Sequence, residues 1–223
     1  MKPSELHLLS LPDYTKTEEL CHSISHGVGV LFGVFALILG ILHTTATIDR
    51  VCAVIYAVSM ILLYAVSATY HALPKSDRKR GFRILDHCTV NLLIAGTYTP
   101  VALSAIRRIN PTVGWILFFA VWAIGIFSSV FTCIDLQKYA KLSMVCYLLM
   151  GWCVIITVRV AIEALTVPGF LWLLSGGVSY TIGAVIYAAA KKKRYSHTIF
   201  HIFVLIGTIL QFVAVDRFIF AVV

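Results

Sequence analysis

Charge is what this sequence has least of. Of its 223 residues only 13% carry one, against roughly a quarter in a soluble domain, while 60% are hydrophobic and the mean hydropathy is +0.91. That balance excludes a disordered chain, a coiled coil and an ordinary cytosolic globule. Paired cysteines are lacking as well. Cys21, Cys52, Cys88, Cys133, Cys146 and Cys153 contain no CxxC and fall mostly inside apolar runs, so buried thiols are expected rather than a disulfide framework. The first twenty residues hold Glu5, Asp13, Glu18 and Glu19 but no apolar core of signal-peptide length. A cleaved secretory signal is therefore not expected, and the first span should direct insertion. Acid is scarcer than base, with 10 Asp and Glu against 18 Lys and Arg and a net charge of +8. The basic residues are dispersed among apolar segments and make no phosphate-tracking face, which excludes nucleic acid as a partner.

Long apolar runs are what the chain has in abundance. A membrane helix takes about 20 mostly apolar residues to cross about 30 Å of hydrocarbon. Seven stretches meet that need: residues 21–44, 51–70, 85–106, 113–133, 139–158, 170–190, and 197 to the end. The connectors TIDR, LPKSDRKRGF, RRINP, DLQKYAK and KKKRY are short and loop-like, and none holds a second domain. The reading is an all-α integral membrane protein of the cell membrane. A seven-transmembrane helix bundle covers residues 21–223, behind a cytoplasmic segment at residues 1–20. Thirteen basic residues fall on the side of the N-terminus: Lys2 and Lys16, five between Lys75 and Arg83, Lys138 and Lys141, and the run from Lys191 to Arg194. Five fall on the other: Arg50, Arg107, Arg108, Arg159 and Arg217. The positive-inside rule then places the N-terminus in the cytoplasm and the C-terminus outside. Pro100 should kink the third span near its middle. Gly29 and Gly33, four apart, suit either close packing within the bundle or a dimer face.

Ionisable groups inside spans are costly, and they mark functional sites where they converge. With this topology His71 closes the second span, Asp86 and His87 open the third, and His197 and His201 open the seventh, all near the cytoplasmic face. His197 and His201 are four apart, on one helix face, where two ring nitrogens can share a zinc ion. His71 can supply a third nitrogen and leave a fourth position for water. Ser67, four residues before His71, faces the same cavity. Asp86 can accept a hydrogen bond from that water or orient a ligand. A plainer reading stands beside this one, in which interfacial imidazoles bond carbonyls or lipid headgroups. His26, beside Ser25, is either a border of the same cavity or an interfacial cap. His43 reads as a solvated residue at a span end.

Four segments carry a resemblance: EELCHSISHGVG, SATYHALP, ILDHCTVNLLIAGTYTP and YSHTIFHIFVL. In order and spacing they resemble the bacterial hemolysin III proteins, within the progestin and adipoQ receptor superfamily that includes the adiponectin receptors. The resemblance runs from about Glu18 to Val215. It implies seven helices with the N-terminus inside, and a Zn2+ ion held by His71, His197 and His201. It also matches Asp86 to an aspartate that contacts the zinc-bound water, and Ser67 to the serine one turn before the first ligand. Many relatives carry a further histidine ten residues after the last ligand, where this chain has Gln211, so a relay role at that position is not carried over.

Three functions follow as expectations. The first is a zinc-dependent hydrolase of a lipid amide or ester within the bilayer, tied to membrane lipid homeostasis. Asp86 would serve there as base or water-aiming group, and Ser67 as oxyanion donor. The second is a non-enzymatic membrane-stress regulator with structural zinc, for which Asp86 or Cys88 would add a fourth ligand. The third is a cytolytic or pore-forming protein, for which the sequence offers no polar lumen stripe. Membrane lipids are the expected partners in each case.

Overall fold

The computed structural model describes residues 3–190 and 193–221. Lys2, Lys191 and Lys192 of the charge count lie outside them. Among the described residues every regular element is helical. After a 3-10 helix at Pro3–Leu8, the elements are α1 (Lys16–His43), α2 (Thr47–Ala72), α3 (Asp77–Thr99), α4 (Pro111–Ile134), α5 (Ala140–Trp152), α6 (Val158–Ala189) and α7 (Ser196–Val215). Each helix packs on its neighbour in sequence, and α7 closes the bundle against α1.

The helix starts are written locally. Thr15 and Glu18 form a capping box, with Thr15 Oγ1 accepting from Glu18 N at 3.3 Å and Glu18 Oε2 accepting from Thr15 N at 2.9 Å. This starts α1 at Lys16 rather than at residue 21. Ser76 caps α3 and Asn110 caps α4, with Pro111 at its first position. The cap of α7 comes from far away. Tyr195 sits in the left-handed region, with φ of 60°, and its N–H donates to Glu18 Oε1 at 2.9 Å. One carboxylate thus ties the start of α1 to the start of α7.

Three helices depart from regularity, α7 among them, since it runs on into a π-helix at Asp216–Phe220. After Pro100 the end of α3 widens into a π-helix, Pro100–Ile106. Proline has no N–H to return to the carbonyl four residues back, and the ladder shifts register from there on. The stretch expected as two spans, 139–158 and 170–190, is one helical run from Ala140 to Ala189, with a 3-10 turn at Cys153–Thr157. That run breaks at Thr166, where φ is 63° and ψ is 167°. Pro168 explains why a break falls here, since it disfavours helix in the residue before it and removes a donor.

Six helical stretches among the described residues are long and apolar enough to cross a membrane. Their outward surfaces carry large apolar side chains such as Leu31, Ile38, Ile116 and Ile156. Their inward surfaces bury Met60, Tyr64, Ile106 and Val121. Small residues let α1 approach α2 closely. A Cβ on Gly33 would come within 2.7 Å of Ile61, one on Gly40 within 2.9 Å of Ala53, and one on Gly29 would overlap the Tyr64 ring. The Gly29–Gly33 face is therefore used inside the bundle.

Candidate metal centre

The first turns of α1 and α7 and the last turn of α2 meet at one end of the bundle. Each brings histidine there. His71, His197 and His201 converge as the sequence suggests. Ring centroids lie 5.3 Å apart for His71–His197, 5.1 Å for His71–His201 and 4.5 Å for His197–His201. His71 and His201 are buried, and His197 is half-buried. The Nε2 atoms of His197 and His201 face each other at 3.1 Å. Ligands about 2.0–2.1 Å from a tetrahedral zinc stand about 3.3 Å from one another, so this pair needs little adjustment to share an ion.

His71 is oriented by a charged relay. Its Nδ1–H donates to Glu19 Oε2 at 2.6 Å, and Lys79 Nζ donates to Glu19 Oε1 at 2.8 Å and to the Leu73 carbonyl at 2.9 Å. A carboxylate on one ring nitrogen fixes the tautomer and leaves the other as the lone-pair atom, as metal-binding histidines require. That other atom, His71 Nε2, is buried without a hydrogen-bond partner, and so is His197 Nδ1. Buried orphan nitrogens are expensive unless something polar satisfies them. The donor set fits a borderline-soft divalent ion.

The other expected residues take different places. Ser67 is buried one turn before His71. Asp86 is half-buried in the third turn of α3, not at its start as expected, because Ser76 caps the helix earlier, and His87 Nδ1 is 4.0 Å from its Oδ2. Among the described residues neither is hydrogen-bonded to an imidazole of the cluster. Cys88 faces away, its Sγ 3.7 Å from Cys133 Sγ and 3.8 Å from the Ser129 carbonyl. His26 belongs to the cluster, with its ring stacked on His201 at 3.6 Å and Ser25 Oγ 3.4 Å from His201 Nδ1. His43 is paired, its Nδ1 2.7 Å from the buried Asp216 carboxylate.

Sequence reasoning missed His22, which is fully buried and within 4.9 Å, centroid to centroid, of His71, His197 and His201. The signal was present, since His22 and His26 repeat the spacing of His197 and His201. It also missed Tyr14, whose ring stacks on His197 at 5.3 Å and 4°. Burial pushes the Tyr14 hydroxyl above its ordinary range, so it stays protonated. The segment before it is fastened down by Arg80 Nε to the Leu9 carbonyl at 2.9 Å and by Lys75 to Asp13 at 2.6 Å.

With this geometry in hand, comparison with known proteins is direct. The family described as Haemolysin-III related matches residues 14–212. The chain belongs to that family. Hemolysin-3 of Bacillus cereus is 37% identical over 89% of this chain and 90% of its own. The hemolysin-3 homolog of Bacillus subtilis is 36% identical over 91% and 94%. A more distant relative, the monocyte to macrophage differentiation factor of Homo sapiens, is 22% identical over 77% and 72%. This hemolysin III chain is thus a multi-pass membrane protein, and the resemblance read from its four segments holds.

Proposed function

We propose that this hemolysin III protein crosses the membrane seven times with its N-terminus inside, and that its histidine cluster holds Zn2+ for hydrolysis of a lipid amide or ester. The run Ala140–Ala189 has 50 residues. At 1.5 Å per residue it would extend about 75 Å, more than twice the hydrocarbon thickness. A reversal of direction at the Thr166 break would make it two crossings and leave the C-terminus outside.

The observation that carries the metal reading is His71, with Nδ1 committed to Glu19 and Nε2 buried and unpartnered beside the nitrogens of His197 and His201. His71, His197 and His201 would be the ligands. Held there with three protein ligands, zinc would supply acidification of a water towards neutral pH and polarisation of a carbonyl. The chain's own groups do the rest. Glu19, held by Lys79, keeps the His71 ring in place. Asp86 takes up a proton on its carboxylate, with His87 behind it. Ser67 would donate a hydrogen bond to the oxygen that gains charge. The apolar outer surfaces keep the scissile lipid in the bilayer.

Lipid analysis of the purified protein, incubated with membrane lipids with and without a chelator, tests this. Free fatty acid should appear only in the metal-loaded sample. A zinc-loaded protein that releases none would favour a non-enzymatic membrane regulator with structural zinc. One observation speaks for that second reading: His22 offers a further buried nitrogen beside the three.

A further inference from the structure

His22 is the centre of the cluster rather than its margin. A nitrogen of His22, one of His71 and one of His197 all lie within 4.8 Å of one another. The His22 ring is edge-on to His71 at 4.5 Å and to His197 at 4.8 Å, and tilted to His201 at 4.9 Å. Neither of its nitrogens has a hydrogen-bond partner, although the residue has no exposed surface. A neutral imidazole always presents one N–H and one lone pair. Leaving both unsatisfied in the interior is costly, and packing alone would be served better by an apolar side chain. The Tyr14 ring packs edge-to-face with the imidazole at 5.0 Å, a contact that can give at most a weak N–H···π bond. What does surround His22 is a set of metal donors on two other helices.

We infer that His22 is an additional ligand of this metal centre, supplied by α1. The inference rests on the metal-binding part of the proposed function, and a fourth imidazole in place of the water would favour the non-enzymatic regulator over the hydrolase. His26, one turn on, is less suited to the same ion, since its ring lies parallel to His201 at 3.6 Å and the two planes stack rather than converge. Four imidazoles fill the shell of a tetrahedral zinc, whereas three leave a position open. His22 is therefore the residue that separates a closed centre from an open one. It sits on the helix whose start is held by the Thr15–Glu18 box and by Glu18 to Tyr195.

X-ray absorption at the zinc edge on the purified full-length protein reads the ligands directly. The wild type should show four imidazole nitrogens at about 2.0–2.1 Å, and His22→Ala three around the zinc that stays bound. His22→Cys gives a positive signature that a packing role cannot imitate, a sulfur neighbour at about 2.3 Å. Should His22→Ala fold poorly, the wild-type and His22→Cys spectra decide alone. Zinc with three imidazoles in the wild type and no sulfur in His22→Cys overturns this inference and leaves the three-ligand centre standing. A folded wild type that binds no zinc overturns both.

Discussion

Three of the site histidines are legible from spacing, because residues four apart on a helix must share a face and a topology of alternating spans puts helix ends at one level. The residues that orient them are not. Glu19 and Lys79 look like solvated charges at the starts of helices, and only the fold shows that Lys79 is buried and bonded to Glu19. Glu19→Gln should therefore lower zinc affinity by about 10–100-fold in a chelator competition, as loss of a carboxylate behind a ligating histidine does. An unchanged affinity would contradict the orienting role. His43 shows the opposite limit, for a residue that reads as solvated grips the buried Asp216 across the bundle. His43→Ala should leave zinc content unchanged yet lower the thermal midpoint. It removes one partner of a buried carboxylate, a loss of about 1–3 kcal/mol, with Arg217 Nε at 3.5 Å the remaining cation. Gln211→Ala serves as a second control for zinc content.

At the scale of elements the apolar runs locate the spans but not the helix starts, which lie earlier, at Lys16, Asp77 and Pro111. The caps of Thr15, Ser76 and Asn110 are one-turn motifs, and each starts a helix where a side-chain oxygen can take a free N–H. The sign of a backbone angle is not local in this sense. Nothing in the side chain of Thr166 announces φ of 63° with ψ of 167°, a region open essentially to glycine. Pro168 forces a break, and the packing of the two flanking segments decides which residue absorbs it. Thr166→Gly should consequently raise the thermal midpoint, corresponding to about 1–2 kcal/mol of relieved strain. A lowered midpoint would mean that the threonine is unstrained. Tyr195 poses the same problem at the start of α7, where the acceptor for its N–H comes from Glu18.

For the whole molecule, apolar composition made the membrane class plain, because only closed helical bundles of this composition satisfy every backbone group in lipid. Counting crossings was harder, since a helix long enough for two spans reads in the structure as one run with a break. A reporter fused after Val223 should be external, and one inserted at Lys75, between α2 and α3, cytoplasmic. Finding both in one compartment would refute the seven-crossing topology. The central claim, however, is the metal. Zinc measured per chain by elemental analysis in the wild type and in His71→Ala, His197→Ala and His201→Ala tests it most directly. The account predicts one zinc per wild-type chain and loss of most of it in each variant, because a centre stripped of one of these imidazoles holds zinc weakly. A well-folded His197→Ala protein that keeps its full zinc would contradict it.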